Sequence, residues 1–186
     1  MRPSSKTAIL EASRRVAERS GIGSLTLEAA AQEAGLSKPG LMYHFASKEQ
    51  LRVAVAEYIT EGWHQQMLAE LGKPFDDATP AERVAAYCRV FTTLSTGKGD
   101  LVLFVDSVHE EALIAPWCEL LRHWLSDSIP LTDPADPASI DLVVARLAAD
   151  GLWMADASQT TGLDENTRAA VVARIQQLAT GKDATR

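Results

Sequence analysis

Four side chains that bind phosphate or DNA base edges occur in one short stretch, GLSKPGLMYHFASKEQL at residues 35–51: Lys38, Tyr43, His44 and Lys48. Lysine neutralises a phosphate or donates to guanine, tyrosine bonds a phosphate or touches a thymine methyl, and histidine donates to a phosphate. Their types and spacing favour contact with a DNA duplex. The alternative is that Tyr43 and His44 only pack a helical corner and that Lys48 is solvated.

Two short helices, each with its own start signal, would present these side chains. Thr26 is a suitable cap for a helix over residues 26–34, in which apolar residues recur at helical spacing. After a turn at Gly35-Leu36, Ser37 opens a second helix. This order predicts a helix-turn-helix, whose second helix enters the major groove of DNA.

The composition of the second helix suits close approach to DNA. Pro39 costs little in a first helical turn because the amides there have no helical partner. Gly40 removes a side chain from the approaching surface, so this pair leaves little side chain for direct base readout. Leu41 and Phe45, four residues apart, are predicted to anchor the helix on the core, with Leu36 filling the turn.

A long helix is predicted directly after this element. Ser47 with Gln50 three residues later forms a capping box, and Gly72 supplies a stop signal. A helix over residues 47–71 would be about 37 Å long at ~1.5 Å per residue, which is long enough to join two domains. Lys48 lies in its first turn, where free amides and the helix dipole favour an anion.

The segment LTLEAAAQEAGLSKPGLMYHFASKEQL, within residues 5–52, resembles the DNA-binding signature of the TetR family of one-component transcriptional regulators. The resemblance depends on YHF at residues 43–45, SK at residues 47–48 and Leu51. It implies an all-α fold, with an N-terminal three-helix DNA-binding domain and a larger C-terminal helical bundle for ligand binding and dimerisation. The predicted DNA-binding residues are Thr26, Ser37, Lys38, Pro39, Gly40, Tyr43, His44 and Lys48.

Charge is divided unevenly between the two predicted domains, residues 1–52 and 53–186. The first carries eight Lys or Arg and five Glu, a net charge of +3, whereas the second carries 10 Lys or Arg and 20 Asp or Glu, a net charge of −10. The net charge of −7 for the whole chain therefore hides a basic first quarter that suits nucleic acid. The larger, acidic part should repel DNA.

The rest of the chain also has helical apolar spacing, and each helix starts at a polar cap or an early proline. The predicted start signals are Thr79-Pro80, Asp100, Pro116, Asp136-Pro137 and Asp164. The predicted ends lie near Gly97, before Pro130 and near Gly181. The whole chain is expected to form about nine helices and no sheet.

Composition is that of an ordinary folded protein, with 46% hydrophobic residues and a mean hydropathy of −0.07. No apolar run approaches the ~20 residues of a membrane span, and no secretion signal is evident, so we expect a cytoplasmic protein. Cys88 and Cys118 lack metal-ligand spacing and are expected to be reduced core residues. We expect no metal and no cofactor.

The helix over residues 137–157 is apolar nearly all round, as expected when one side faces the domain core and another is buried elsewhere. The resemblance implies a homodimer in which two helices from each chain form a four-helix interface. A monomer that uses both faces internally is the alternative. The predicted dimerisation residues are Val143, Leu147, Gly151, Met154, Val171, Ile175 and Leu178.

Aromatic residues, including all four tryptophans, are concentrated after residue 52. Such residues line small-molecule sites, and they are equally ordinary core residues. An acidic side chain among aromatic faces would favour a cationic ligand. The predicted ligand-binding residues, on helices that the resemblance places around a cavity, are Trp63, Met67, Tyr87, Phe91, Phe104, Asp106, Trp117 and Trp153.

Together these features predict a sequence-specific DNA-binding transcriptional regulator, a repressor that a small lipophilic or aromatic effector releases from a palindromic operator. One alternative is a DNA-binding protein that needs no effector. The other is an all-helical enzyme with a dispersed active site, although no local nucleophile and base and no phosphate-binding loop favour it. We therefore expect no enzyme and no catalytic residues.

Overall fold

The computed structural model describes residues 5–93, 98–126 and 136–181, and it is helical without strands throughout these ranges. This confirms the all-α fold. No helix in the described ranges is both long and apolar enough to cross a membrane. The nine α-helices found there are α1 Ser5–Ser20, α2 Leu27–Glu33, α3 Lys38–Met42, α4 Lys48–Leu71, α5 Pro80–Thr93, α6 Lys98–Ser107, α7 Glu111–Leu121, α8 Pro137–Ala157 and α9 Glu165–Thr180.

The chain separates into two compact units according to its internal contacts. The first unit comprises Met1–Gly62 and Gly97–Cys118, and the second comprises Trp63–Thr96 and Glu119–Arg186. Helices α4 and α7 each contribute residues to both units. The boundary between residues 52 and 53 stays a prediction.

Side-chain caps fix the starts of both helices of the helix-turn-helix. The Thr26 Oγ1 accepts a hydrogen bond from the Ala29 amide at 3.1 Å. The Ser37 Oγ accepts one from the Gly40 amide at 3.2 Å. Each cap satisfies a backbone amide that has no partner within its helix. The two caps thus stabilise the starts of two short helices, of seven and five residues.

A glycine ends α2 and turns the chain into α3. Gly35 has a φ of +68°, in the left-handed region that glycine tolerates, and the Leu36 amide donates to the Ala31 carbonyl at 2.9 Å. Leu41 and Phe45 are 0% and 2% exposed, which confirms that they anchor α3 on the core. Leu36 is 40% exposed, so the prediction that it fills the turn is wrong, because the backbone hydrogen bond closes the turn instead.

The second unit packs α5, α8 and α9 against one another. The Asp136 carboxylate accepts the Ser139 amide at the start of α8, and Asp164 accepts the Thr167 amide at the start of α9. Gly181 ends α9 with a φ of +64°. These starts and this end agree with the sequence, because each is set by residues within one helical turn.

Two predicted helix starts differ from the structure. Helix α6 begins two residues before Asp100, whose buried carboxylate accepts from Arg14 Nη2 at 2.8 Å. Helix α7 begins five residues before Pro116, which lies inside it and forfeits one helical hydrogen bond. The predicted ends near Gly97 and Pro130 lie outside the described residues.

The two cysteines have different environments. Cys88 in α5 is buried as expected, and burial raises the pKa of its thiol to about 12. Cys118 in α7 is exposed, so the expectation of a core residue is wrong for it.

Candidate nucleic-acid interface

Helix α3 presents an open face of small and polar residues to solvent. Lys38, Pro39 and Gly40 are exposed, and Tyr43 directly after the helix is 87% exposed. The Tyr43 ring meets the half-buried His44 ring edge to face, with centroids 5.2 Å apart. A ring with so much exposed area stabilises the folded chain little, so corner packing does not account for Tyr43.

Lys38 is tied to the other helix of the helix-turn-helix. Its Nζ donates to Oε1 of Glu28, in the first turn of α2. The hydrogen bond from Lys38 lowers the pKa of the Glu28 carboxyl below its usual value. Both side chains are exposed, at 48% and 63%, so solvent screens the pair and Lys38 remains accessible to DNA.

Lys48 lies at the other end of the exposed face, in the first turn of α4. Its Nζ donates to the Gly23 carbonyl at 2.8 Å. The Ser47 Oγ accepts the Gln50 amide at 3.1 Å, as a capping box requires. The Gln50 side chain accepts from the Ala46 amide at 2.7 Å rather than from Ser47, one residue outside the predicted pattern.

Thr26 and Ser37 are held by the helix starts that they cap. Each hydroxyl uses its oxygen as an acceptor for a backbone amide, which leaves its hydrogen as a donor. A hydroxyl at a helix start is placed to donate to a phosphate oxygen. All eight predicted DNA-binding residues lie in the first unit, and their contacts with DNA stay predictions.

Charged side chains clamp the backbone between α1 and α2. The Ile22 amide donates to Asp106 Oδ2, and the Ile22 carbonyl accepts from Arg52 Nε, both at 3.1 Å. Arg52 is 8% exposed and also donates through Nη1 to Glu110 Oε2 at 2.8 Å. That contact lowers the pKa of Glu110. Gly21 permits the approach, since a Cβ there would lie 2.6 Å from the Asp106 carboxylate.

Four of the predicted ligand-binding residues form an aromatic cluster in the second unit. The Trp63 ring centroid lies 4.9 Å from that of Phe91 and 5.5 Å from that of Trp153. Tyr87 stacks on Phe91 with centroids 4.2 Å apart. Met67, which is 0% exposed, belongs to the same unit. The rings contact one another directly, so a ligand bound among them would have to move them apart.

A half-buried carboxylate, that of Asp150, adjoins this aromatic cluster. The Tyr87 hydroxyl donates to Asp150 Oδ1 at 2.5 Å, and Arg146 Nε lies 2.9 Å from Asp150 Oδ2. Burial raises the pKa of Asp150 although Tyr87 and Arg146 favour its charged form. Burial, with Asp150 nearby, raises the pKa of Tyr87 well above its usual value. The group can accept a hydrogen bond or pair with a cation.

The other three predicted ligand-binding residues belong to the first unit. Phe104 and the buried Trp117 meet edge to face, with centroids 5.5 Å apart. Asp106 accepts the Ile22 amide at 3.1 Å, so its carboxylate has a structural partner. The structure therefore divides the predicted ligand-binding residues between two compact units.

One face of α8 is apolar and exposed. Val144, Leu147 and Met154 are 45%, 54% and 44% exposed, and Ile140 at 39% continues the same stripe. Gly151, also exposed, has open space where a Cβ would be. The opposite side of α8 supplies buried residues of the second unit, as the two-faced pattern predicted.

The predicted dimerisation residues of the last helix are less exposed. Val143 of α8 and Val171 and Leu178 of α9 are half-buried. Ile175 is 2% exposed in the single chain, because α9 turns it toward its own unit. It therefore has almost no free surface to offer a partner.

The sequence did not indicate the roles of three residues in these contacts, Glu28, Arg52 and Asp150, and Glu110 pairs with Arg52 rather than with a ligand. Each has a partner on a different element, so local spacing gives no indication of its role. Asp150 had a partial signal, since it lies four residues after Arg146 within a mainly apolar helix. A charge inside such a stretch indicates a buried polar contact.

The fold and the exposed α3 define a helix-turn-helix DNA-binding protein. Two family profiles match the chain: "Bacterial regulatory proteins, tetR family" over residues 9–55, and "Tetracyclin repressor-like, C-terminal domain" over residues 81–180. The second profile alone covers more than half of the 186 residues. The chain therefore belongs to the TetR family of bacterial transcriptional regulators.

A curated relative is the HTH-type transcriptional regulator RutR of Escherichia coli K12. It is 36% identical over 85 residues, which are 46% of this chain and 38% of the relative. The same regulator of Shigella flexneri matches equally. The match thus spans well under half of the length of these relatives.

Solved structures share the fold over nearly the whole chain. A putative TetR-family regulator from Rhodococcus sp. has a TM-score of 0.70 at 19% identity, covering 95% of this chain and 100% of that chain. The multidrug binding protein EbrR, solved with ethidium, has a TM-score of 0.60 at 22% identity, covering 94% and 99%. The fatty acid degradation regulator FadR from Bacillus halodurans has a TM-score of 0.63 at 15% identity, covering 100% of both. At these identities the likeness concerns the fold alone.

Proposed function

We propose that this regulator is a cytoplasmic homodimeric repressor that binds a palindromic operator and is released by a small lipophilic or aromatic effector. The observation that carries the DNA-binding part is the 87% exposure of Tyr43, which lies in the chain between Lys38 at the start of α3 and Lys48 at the start of α4. A large ring left in solvent and bracketed by two cations suits a phosphate backbone better than a packed corner.

The proposed contacts are of two kinds, with bases at the start of α3 and with phosphates farther along the chain. Lys38 at that start reads a base edge, with Pro39 and Gly40 allowing the backbone to approach. Tyr43 and Lys48 hold phosphate. His44, half-buried, adds a phosphate contact, and the hydroxyls of the two helix caps donate to neighbouring phosphates.

The exposed stripe of α8 supports the proposed homodimer. Leu147 and Met154 expose about half of their surface in the single chain, and contiguous apolar area of this kind marks interaction sites. An isologous pairing of α8 with its copy, flanked by Val171 and Leu178 of α9, would bury it. Two reading helices would then face half-sites about 34 Å apart. Ile175 has no part in this interface because its own unit covers it.

The aromatic cluster of Trp63, Tyr87, Phe91 and Trp153, with Met67, is the proposed effector site. Its rings suit a flat or lipophilic compound, and EbrR with the same fold is known with ethidium. An effector that binds between the rings would favour the conformer in which they are apart. It releases DNA only if that conformer has lower affinity for the operator.

The test of DNA binding is fluorescence anisotropy on the DNA upstream of the protein's own gene and on a scrambled duplex of equal length. The protein is refolded from denaturant so that no effector remains bound. Wild type should prefer the upstream DNA by about 10³-fold or more. Tyr43→Ala should weaken this binding, and Lys48→Ala should weaken binding to all sequences and lower the salt slope by about one.

Two further variants complete that experiment. Lys73→Ala removes an exposed cation of the second unit that pairs with Glu82, and it should leave binding unchanged. Leu147→Lys should give a monomer by sedimentation and lose preference for paired half-sites. If wild type bound both duplexes equally weakly, the proposal of a sequence-specific regulator would be contradicted.

A further inference from the structure

Helix α3 has little with which to read bases. Its sequence over Lys38–Met42 is KPGLM, so Lys38 is its one side chain with a hydrogen-bond donor. Lysine is a flexible point charge that binds phosphates and guanine alike, and alone it discriminates poorly. The partner that fixes Lys38 is Glu28 of α2, whose carboxylate accepts from the ammonium group.

We propose that Glu28 is a specificity-determining residue, which accepts a hydrogen bond from the cytosine amino group of the G·C pair whose guanine Lys38 binds. This inference rests on the proposed function, since it needs Lys38 in a major groove. A carboxylate reads cytosine N4, and lysine reads guanine O6 and N7. The pair of side chains therefore matches one base pair.

The geometry of the ion pair agrees with that of the base pair. Guanine O6 and cytosine N4 are joined by a hydrogen bond, so they lie about 2.9 Å apart. The Lys38 ammonium and the Glu28 carboxylate are likewise within hydrogen-bonding distance. Lysine has three donors and a carboxylate about four acceptor positions, so each can contact DNA while keeping the other.

The same carboxylate discriminates against the wrong partners. The Glu28 carboxylate is repelled by phosphate. If Lys38 bound the DNA backbone instead of a base, Glu28 would lie close to other negative charges. Opposite a base pair that has no amino group where cytosine N4 would be, the Glu28 carboxylate has no donor to bind. The unmade hydrogen bond costs affinity. Glu28 should therefore weaken non-specific binding while favouring one base pair.

A structural role does not account for the pair. Glu28 is 63% exposed and Lys38 is 48% exposed, and exposed ion pairs contribute little to stability. The start of α2 is already capped by Thr26. Glu33 provides a contrast on the same helix, because it accepts from Arg15 at 2.9 Å and Arg19 at 2.6 Å and so ties α2 to α1.

The experiment selects binding sites from a library of duplexes with about 20 randomised base pairs, using wild type, Glu28→Ala, Lys38→Ala and the double variant. Anisotropy on the selected duplex and on poly(dA-dT), which contains no G·C pair, gives the specificity ratio of each protein. Glu33→Ala is the matched control, a glutamate of the same helix whose partners lie on α1.

For Glu28→Ala we expect the G·C preference to fall about tenfold at one position of each half-site, with poly(dA-dT) binding tightened and its salt slope steeper by about one. Lys38→Ala should lose preference at the same position, and the double variant should lose little more. Glu33→Ala should keep the wild-type consensus.

The outcomes separate this inference from the proposed function. If wild type selects no consensus, the proposed function fails. If wild type selects one and Glu28→Ala keeps both the consensus and the specificity ratio, the inference about Glu28 is overturned while the proposed function stands. Loss at a position that Lys38→Ala does not affect would equally overturn it, since the two would then read different base pairs.

Discussion

The two compact units hold their elements together by different means. In the first, arginines and carboxylates far apart in sequence meet, as Arg14 meets Asp100 at 2.8 Å and Arg52 meets Glu110 at 2.8 Å. In the second, α4, α5 and α8 meet through the rings of Trp63, Phe91 and Trp153. Both units have apolar cores, but the first adds ion pairs between distant segments, whereas rings in direct contact join the helices of the second.

The difference suits the two tasks proposed for the units. Directional contacts fix the backbone at Ile22 from both sides, and so fix the place where α2 leaves α1. A helix-turn-helix must hold its reading helix in a defined position to select a sequence. The rings of the second unit supply the apolar and aromatic lining that is typical of small-molecule sites.

The largest expected effect comes from removing a ring of the second unit. Trp153→Ala should lower the free energy of unfolding by about 3–5 kcal/mol, because Trp153 is 6% exposed and contacts two other rings. Urea unfolding followed by far-ultraviolet circular dichroism measures it. Tyr43→Ala, which removes an 87% exposed ring of the first unit, should change stability by less than about 0.5 kcal/mol. Equal losses from both variants would contradict the contrast between a packed cluster and an exposed reading surface.

A smaller effect is expected from removing the arginine that holds the first unit. Arg52→Met keeps apolar bulk but removes the charged one of two donors to the Ile22 carbonyl, the other being the Leu25 amide, which should cost about 1.5–3 kcal/mol. Arg89→Met removes an arginine with a 38% exposed side chain that pairs with Glu70. Its free energy of unfolding should stay within about 0.5 kcal/mol of that of wild type. Hydrogen exchange at the amides of α2 should quicken in Arg52→Met and not in Arg89→Met. Unchanged exchange in Arg52→Met would show that the clamp at Ile22 does not hold the turn.

The sequence predicted what short-range contacts determine. The caps Thr26, Ser37 and Asp164 each bind an amide two or three residues away, and Leu41 and Phe45 share one helix face. Such features are visible in a window of one helical turn. The class of fold followed from them, together with the resemblance over residues 5–52.

The contacts that the sequence did not predict join distant residues. Asp100 was read as a cap, although its carboxylate belongs to Arg14, 86 residues away along the chain. Asp106 was read as a ligand contact, although it accepts the Ile22 amide 84 residues away. A carboxylate has the same local signature in either role, so only the packing of α6 beside α1 distinguishes them.

The smallest expected effect concerns the pH dependence of one carboxylate in each unit. The contact with Arg52 lowers the pKa of Glu110 below 4.5, so its contribution is present above that pH and is lost as the pH falls through the lowered value. Burial raises the pKa of Asp150 above 3.8, so the neutral acid stabilises the fold at low pH and this contribution is lost as the pH rises through the raised value. Glu110→Gln should therefore have a lower melting temperature than wild type at neutral pH, and this difference should shrink only as the pH falls below 4.5. Asp150→Asn keeps an acceptor for Tyr87. Its melting temperature should rise relative to that of wild type as the pH increases from acid to neutral. Melting temperatures of the three proteins between about pH 4 and pH 8 test the sign of both pH dependences. Parallel curves for the two variants would refute the contrast between Glu110 and Asp150, because they would place the two carboxylates in equivalent environments.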